Sequence, residues 1–428
     1  MALGACGGEN KHEAMVPTDS GAERDSGTAV DAGTTAVKDA AIDANVDPLT
    51  RDCPLAGESF IAATAATAGQ SFGFDVQAND GHLLFAVPDC VGDGGAMNGA
   101  GSALRALTLP SGGGSSAPRS LESQTCVPHR DVALSANEDA LYGYFVRASD
   151  SGDQLMMLDL AKATKAQPSV LLGQAGLVSS TIASGLLGVH AVVAWAHGTG
   201  AKGASDVSLF FDGAADSRRI VIDANAGQHV KALAMGTLGA AADAKGSLSV
   251  LVWVDTTPNT GAIWMQLLDE QGVARGKPLS LSTEVGAWNR VAFVAQAVGG
   301  AVVFTEGAGE IQSTRFVGLD SKGNLRAPAV RITNSDQNVF DATVARYATG
   351  FAVAYRFLPT DPKREAVIRI AFTDELGNIA GTRDVAPASR EPGLIRAALA
   401  RDGRLFVGWT DHDSSGSETV RVVRAICE

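Results

Sequence analysis

Between Ser247 and Ser282 the chain reads SLSVLVWVDTTPNTGAIWMQLLDEQGVARGKPLSLS, and its apolar positions leave neither side of an extended segment polar. Leu248, Val250, Val252 and Val254 fall on one face of the first strand, Leu251 and Trp253 on the other. A sheet with one wet face alternates apolar with polar residues, so a strand apolar on both faces is covered on both. A Pro/Asn/Gly turn leads into a second strand, Ala262 to Asp269. Glu270, Gln271 and Gly272 then turn the chain toward a short strand beyond Pro278.

The unit recurs along the chain. Aligned on the aromatic at the place of Trp253, seven copies are marked by Phe85, Tyr144, Trp195, Trp253, Phe304, Tyr355 and Trp409, at intervals of 51 to 59 residues. That spacing exceeds the roughly 40 to 45 residues of a minimal four-stranded blade, and longer loops account for the excess. A second marker keeps step: the next strand ends at Asp159, Asp212, Asp269, Asp320 and Asp374, with Gly213, Gly272, Gly323 and Gly377 close behind. Asp and Gly suit the positive-φ positions of a hairpin turn. Like sheets, each hiding both faces against its neighbours, describe an all-β, seven-bladed β-propeller with an apolar, aromatic-ended inner strand in each blade.

The ends of the array predict how the ring closes. The first unit opens near Gln70, leaving Glu58 to Ala63 unassigned, and after Trp409 the chain makes only one more strand, Glu418 to Ile426. If the two segments run antiparallel, this N-terminal strand completes the last blade and removes the sheet edge at the seam. The Ala/Thr run from Ala62 to Ala68 has poor strand propensity and is the weak point of that scheme. The cysteines fit it: Cys53 would meet Cys427 across the end of the closing pair, and Cys90 would meet Cys126 at one end of the first blade. Two such disulfides imply an oxidising compartment, the alternative being free thiols in a reducing one. Zinc is disfavoured, because no two of these cysteines have C-x₂₋₄-C spacing.

Composition narrows the class. At 428 residues, with 49 glycines and 19% charged residues, the chain suits many short strands joined by tight turns. Its 47 acids against 34 bases give a net charge of −13, which argues against general nucleic-acid binding. Residues 1–52 hold ten of the acids and four of the bases. From residue 7 to 52 the chain is rich in Ala, Asp, Thr and Gly, has no aromatic residue, and cannot offset its ordering entropy by burial, so a disordered tether is expected. No apolar run approaches the roughly 18 residues of a membrane span.

At the start, Leu3-Gly4-Ala5-Cys6 resembles the lipobox of bacterial lipoproteins. The resemblance implies that residues 1–6 are the remnant of a signal peptide whose basic and apolar parts lie upstream, and that Cys6 is the lipid-attachment site. It also implies a cell-envelope location in which the membrane is met only through the lipid anchor. The body, residues 53–428, resembles in its aromatic-ended strands and LD-x-x-G turns the β-propellers of secreted bacterial lipoproteins. It lacks the repeated Gly-His with Trp-Asp, the S-x-D-x-G-x-x-W box of sialidases and the double glycine of kelch repeats. What the resemblance implies is therefore an architecture and no particular activity.

Candidate chemistry lies on one face. Two residues beyond the aromatic stand His197, Asp255, Glu306 and Asp411, a spacing that puts each on the aromatic's side of its strand at the same end of the ring. They read either as a polar ring for a ligand or as solvation of strand ends beside turns. On different blades they lie too far apart to share one metal ion. The same face carries the variable loops Val91 to Gly101, His197 to Asp206, Pro359 to Glu365 and Asp411 to Glu418, the last with His412 and Asp413 beside Asp411. No HExxH pair, phosphate loop or nucleophile elbow occurs, and no cofactor or catalytic set is expected. Three functions remain: a surface-tethered, non-enzymatic module binding a protein or glycan through the long-loop face; an extracellular hydrolase or lyase acting on polysaccharide; and a structural envelope protein.

Overall fold

The computed structural model describes residues 60–65, 72–88 and 102–425, apart from 112–114, 122–128, 137–139, 150, 162–167, 199–204, 224–226, 240–245, 287–288, 308–311, 335–337, 348–349 and 413–417. Within these residues all five cysteines, Asp413 and the 7–52 tether are absent, so the lipobox, both disulfide pairings and the disorder of the tether lie outside the described residues. Seven antiparallel sheets of four strands each make up the fold, and the one helical element among the described residues is a 3₁₀ turn at Ala215–Ser217. It is a seven-bladed β-propeller.

Each blade is laid down in order from the axis outward. The innermost strands are Phe72–Gln77, His129–Ala136, Val178–Leu187, Val230–Thr237, Val291–Ala295, Asn338–Tyr347 and Ile395–Leu399. The second strands are Asp80–Pro88, Leu141–Arg147, His190–Gly198, Ser249–Asp255, Gly300–Glu306, Gly350–Leu358 and Leu405–His412. All seven marker aromatics sit on these second strands and are at most 2% exposed. This agrees with the sequence scheme, in which one more strand follows that of Trp409 before the missing fourth. At the axis a strand has a neighbour on one edge only, whereas the second strand is flanked on both edges and covered on both faces, which is where the fully apolar pattern belongs.

The two faces read from sequence meet different blades. Leu251 and Trp253 pack into a cluster with Leu187, Val192 and Leu209 of the third blade, while Val250, Val252 and Val254 pack with Val302, Phe304 and Val317 of the fifth. Seven such clusters occur, each shared between adjacent blades, including one between the seventh and the first that joins Phe406 and Val422 to Phe72 and Phe85. Every blade-to-blade wall is therefore its own small core, which is how the chain outgrows a single core.

Closure follows the predicted scheme with a shift of two residues. Phe60–Ala65 pairs antiparallel with Glu418–Ala425, Phe60 opposite Val422 and Ala65 opposite Glu418, and completes the last blade from outside. Pairing overrides the weak propensity of the Ala/Thr run, because the edge of Glu418–Ala425 supplies the hydrogen bonds an isolated segment would lack. The outer turns are Asp-gated as expected. Asp320 Oδ1 accepts the N–H groups of Lys322 and Asn324 at 2.8 Å, Asp374 repeats this with Leu376 and Asn378, and Gly323 and Gly377 take φ of 79° and 87°.

Toward the axis the strands crowd. A Cβ on Gly73 would lie 2.7 Å from the backbone of Ala133 and Leu134 in the next blade, so the site admits only glycine without a backbone shift. The open edges of the innermost strands are closed from neighbouring blades. Asp75 Oδ2 accepts Ala136 N–H, Asp131 Oδ2 accepts Ile182 N–H and Asp341 Oδ2 accepts Ile395 N–H, at 2.6 to 2.8 Å, while Ser184 and Thr237 donate to the carbonyls of Leu134 and Leu186 at 2.7 Å. Side chains thus hide an edge that would otherwise stay unpaired.

Candidate functional site

The polar residues that end the second strands are buried and committed. His197, Asp255, Glu306 and Asp411 are 2 to 7% exposed. The His197 ring lies tilted against Trp195 with centroids 4.5 Å apart, and its Nε2 meets Ser208 Oγ at 3.1 Å; burial, reinforced by Arg218 and opposed by Asp206, pushes its pKa down to about 4, so it is neutral at pH 7. Asp255 Oδ1 accepts the N–H groups of His229 and Thr257 at 2.9 Å. Glu306 pairs with Arg315 Nε at 2.5 Å and accepts from Ser282 Oγ at 2.9 Å. Asp411 accepts Ser389 N–H at 2.6 Å, pairs with Arg421 Nε at 2.9 Å and has Arg356 Nη1 3.9 Å away. They secure loops on four separate blades and do not converge.

A different set of residues converges at the axis on the same face. In four blades the innermost strand carries a register shift at its entry: between His129 and Val132, Ser179 and Thr181, Val230 and Ala232, and Phe340 and Ala342. The extra residue of a bulge has no cross-strand partner and is turned aside. Here that places Asp131, Ser180, Lys231 and Asp341 around one axial mouth, a cavity of about 510 Å³. The fifth and seventh blades have no bulge at this level. A threonine after each aromatic holds them in register: Thr305 Oγ1 accepts Arg290 N–H at 2.9 Å and Thr410 Oγ1 accepts Leu394 N–H at 2.8 Å. Arg290 and Arg396 enter the mouth from those blades.

Below the mouth a second cavity of about 360 Å³ continues along the axis, sharing Ile182, Leu233, Val291 and Arg396 with the first. Its wall is largely apolar, with Phe74, Leu134, Leu186, Met235 and Phe293, and it holds the half-buried Asp75. Withdrawal from water pushes the Asp75 pKa up to about 6, against the pull of the Ala136 and Val76 N–H donors. In the mouth, burial raises the pKa of Asp341, with Arg396 and Arg290 the main opposing charges. Asp341 sits at φ 48°, and its two oxygens accept the N–H groups of Ala342 at 2.8 Å and Ile395 at 2.6 Å.

The seventh-blade side of the mouth rests on a buried cation. Arg356, 0% exposed, donates from Nη1 to Ser389 O and Oγ at 2.9 Å and to Glu391 O at 2.8 Å, and from Nη2 to Thr410 O. It binds the 389–391 segment to the end of the second strand, and the mouth wall at Glu391, Gly393 and Leu394 follows from that.

Of the candidate ligand residues that are described, His412 lines the mouth, while His197, Asp255, Glu306 and Asp411 do not. Asp411 and His412 also border a shallower depression of about 460 Å³ with Lys363 and Arg364. Asp131, Lys231 and Asp341 were not anticipated. For two of them the trace in the sequence is a charged residue wedged into an apolar run, Val230-Lys231-Ala232 and Phe340-Asp341-Ala342. Among the described residues no group of three His, Cys, Asp or Glu is placed to hold a metal ion.

No family model and no curated protein sequence matches the chain. Similar solved structures include a prolyl endopeptidase, with 15% identity and TM-score 0.46 over 82% of this chain and 46% of the other. Another is the sialidase of Trypanosoma rangeli, with 10% identity and TM-score 0.43 over 86% of this chain and 56% of the other. A third is the subtype N10 neuraminidase-like protein of A/little yellow-shouldered bat/Guatemala, with 8% identity and TM-score 0.40 over 70% of this chain and 95% of the other. The chain thus spans about half the length of the prolyl endopeptidase and of the sialidase. At such identities the likeness is one of fold.

Proposed function

We propose that the protein is a non-enzymatic binding module that seats the end of a glycan chain in the axial mouth on its long-loop face. The observation that carries this reading is the shared bulge: four blades break register at one level and turn Asp131, Ser180, Lys231 and Asp341 toward a single cavity. At about 510 Å³ the mouth has the size of a small-ligand site, and its concave shape suits a chain end better than a flat protein surface. In this reading the 7–52 segment tethers the body to a membrane through a lipid on Cys6, which the intact mass of the native N-terminal peptide tests.

The test of the mouth is steric. Ser180 is exposed and on the bulge, so Ser180→Trp fills the entrance without touching the core. Binding to a panel of immobilised glycans is expected for the unaltered protein and lost in S180W. Capture of the same glycans by S180W would exclude the mouth. The second reading, a polysaccharide hydrolase or lyase, draws on His412 and Glu418, which face each other across adjacent strands at the mouth. Release of new reducing ends from a captured glycan would establish it in place of simple binding.

A further inference from the structure

Resting on the mouth as the binding site, we propose that the bound unit carries an oxyanion, a carboxylate or a sulfate, held by Lys231, Arg290 and Arg396. These cations come from the fourth, fifth and seventh blades and line the same cavity. Many arginines of this acidic protein are matched to carboxylates: Arg315 with Glu306, Arg421 with Asp411, Arg326 with Glu375 and Arg369 with Asp384, all at 2.5 to 2.9 Å. Among the described residues Lys231, Arg290 and Arg396 have no carboxylate within ion-pair distance. A guanidinium offers five N–H donors. Arg290 spends one on Asn289 O at 3.4 Å and Arg396 one on Ile395 O at 2.9 Å, both local backbone contacts.

The acids at the mouth do not take up these donors. Asp341 lies electrostatically between Arg396 and Arg290, but its oxygens are aimed at the Ala342 and Ile395 amides. Asp131 is likewise engaged by the amides of Val132 and Ile182. Arg130 already leans on Asp153 at 3.5 Å, Glu418 is buried, and the exposed Glu391 acts on Arg356 from the seventh-blade side. Arg290 and Arg396 are half-buried, so they have lost part of their hydration without gaining a carboxylate in direct contact. A ligand oxyanion would restore that balance through charge-assisted hydrogen bonds, in a concave site where the field of three cations is focused.

The experiment is calorimetric titration of the full chain with three probes: a galacturonic acid trimer, a sulfated galactose oligomer and the neutral galactose trimer. The expected result is binding of an acidic probe at least about tenfold tighter than the neutral one, weakening with added salt. Lys231→Met and Arg396→Gln should each lose about tenfold for the acidic probe and lose less for the neutral one, so that the preference for the acidic probe narrows. The carboxylate and sulfate arms identify which anion is preferred. Lys231 is exposed, so K231M keeps the test valid even where R396Q fails to fold. Equal affinity for acidic and neutral probes, unaltered affinity in K231M, or no binding of either acidic probe overturns the proposal. If the neutral trimer binds and S180W abolishes it, the mouth stands without the anion. If an acidic probe still binds S180W, the mouth reading fails instead.

Discussion

Two rings of polar side chains crown the same face of this propeller, one strand apart in radius. The outer ring, at the ends of the second strands, is buried and its carboxylates are engaged: Asp255 and Glu306 each accept at least two hydrogen bonds, and Asp411 accepts Ser389 N–H and pairs with Arg421. The inner ring, at the bulges of the first strands, opens onto a cavity, and its cations keep donors to spare. One strand further from the axis, a side chain is roofed by loops and by the adjacent blade, so a polar group persists there only if it is paired. At the axis no further strand exists to cover it. Position along the radius, more than residue type, separates scaffold from site.

The largest effect that would test this contrast is the loss of Arg356. Replacing it by Met leaves four backbone and side-chain acceptors and the Asp411 carboxylate without their cation. Removing one partner of a buried charge cluster costs about 3–5 kcal/mol. Urea unfolding should show that loss, and a change below about 1 kcal/mol would mean the outer ring is not structural.

A smaller cost attaches to Glu306→Gln, which breaks the Arg315 pair. About 1–3 kcal/mol of stability should go, with binding of mouth ligands unaltered in the same preparation. Reduced glycan capture with unchanged stability would reverse the assignment of roles.

Asp75 sharpens the comparison through pH. Its folded pKa of about 6 lies above the ordinary value of 3.8, so the native state binds the proton more tightly than the unfolded chain. Stability from this group is complete below the unfolded pKa and falls as pH rises through the folded one. The unfolding midpoint should therefore decline between about pH 4 and pH 6, and the decline should shrink in Asp75→Asn. A midpoint rising across that window in the unaltered protein but not in D75N would contradict the shift.

The smallest effect belongs to the inner ring itself. Lys231→Met removes an exposed side chain without structural partners, and stability should stay within about 0.5 kcal/mol. A loss comparable with that of Glu306→Gln would make Lys231 part of the scaffold.

Most of the scaffold was legible in the residues. The two apolar faces around Trp253, the aromatic beat from Phe85 to Trp409 and the Asp-Gly turns each depend on neighbours in the chain, where a period of two or a positive φ leaves a direct mark. The site was not legible in the same way. His197, Asp255, Glu306 and Asp411 read either as a ligand ring or as solvation of strand ends, because spacing places them on one face but carries no information about what covers that face. The bulge residues were passed over because Lys231 inside VKAL or Asp341 inside FDAT reads as an ordinary exposed position until the register of the partner strand is known.

Local order alone settled the repeat, its handedness of faces and the count of blades, since each blade's strands hydrogen-bond to segments next to them in the chain and bury what the alternation dictates. The outer closing strand was also readable, because a missing fourth strand at one end and a spare segment at the other leave little choice. What only the assembled ring decided was distance from the axis and register between strands. Those fix which charged groups are roofed and paired and which three cations face open space, and both arise from contacts between residues tens to hundreds of positions apart.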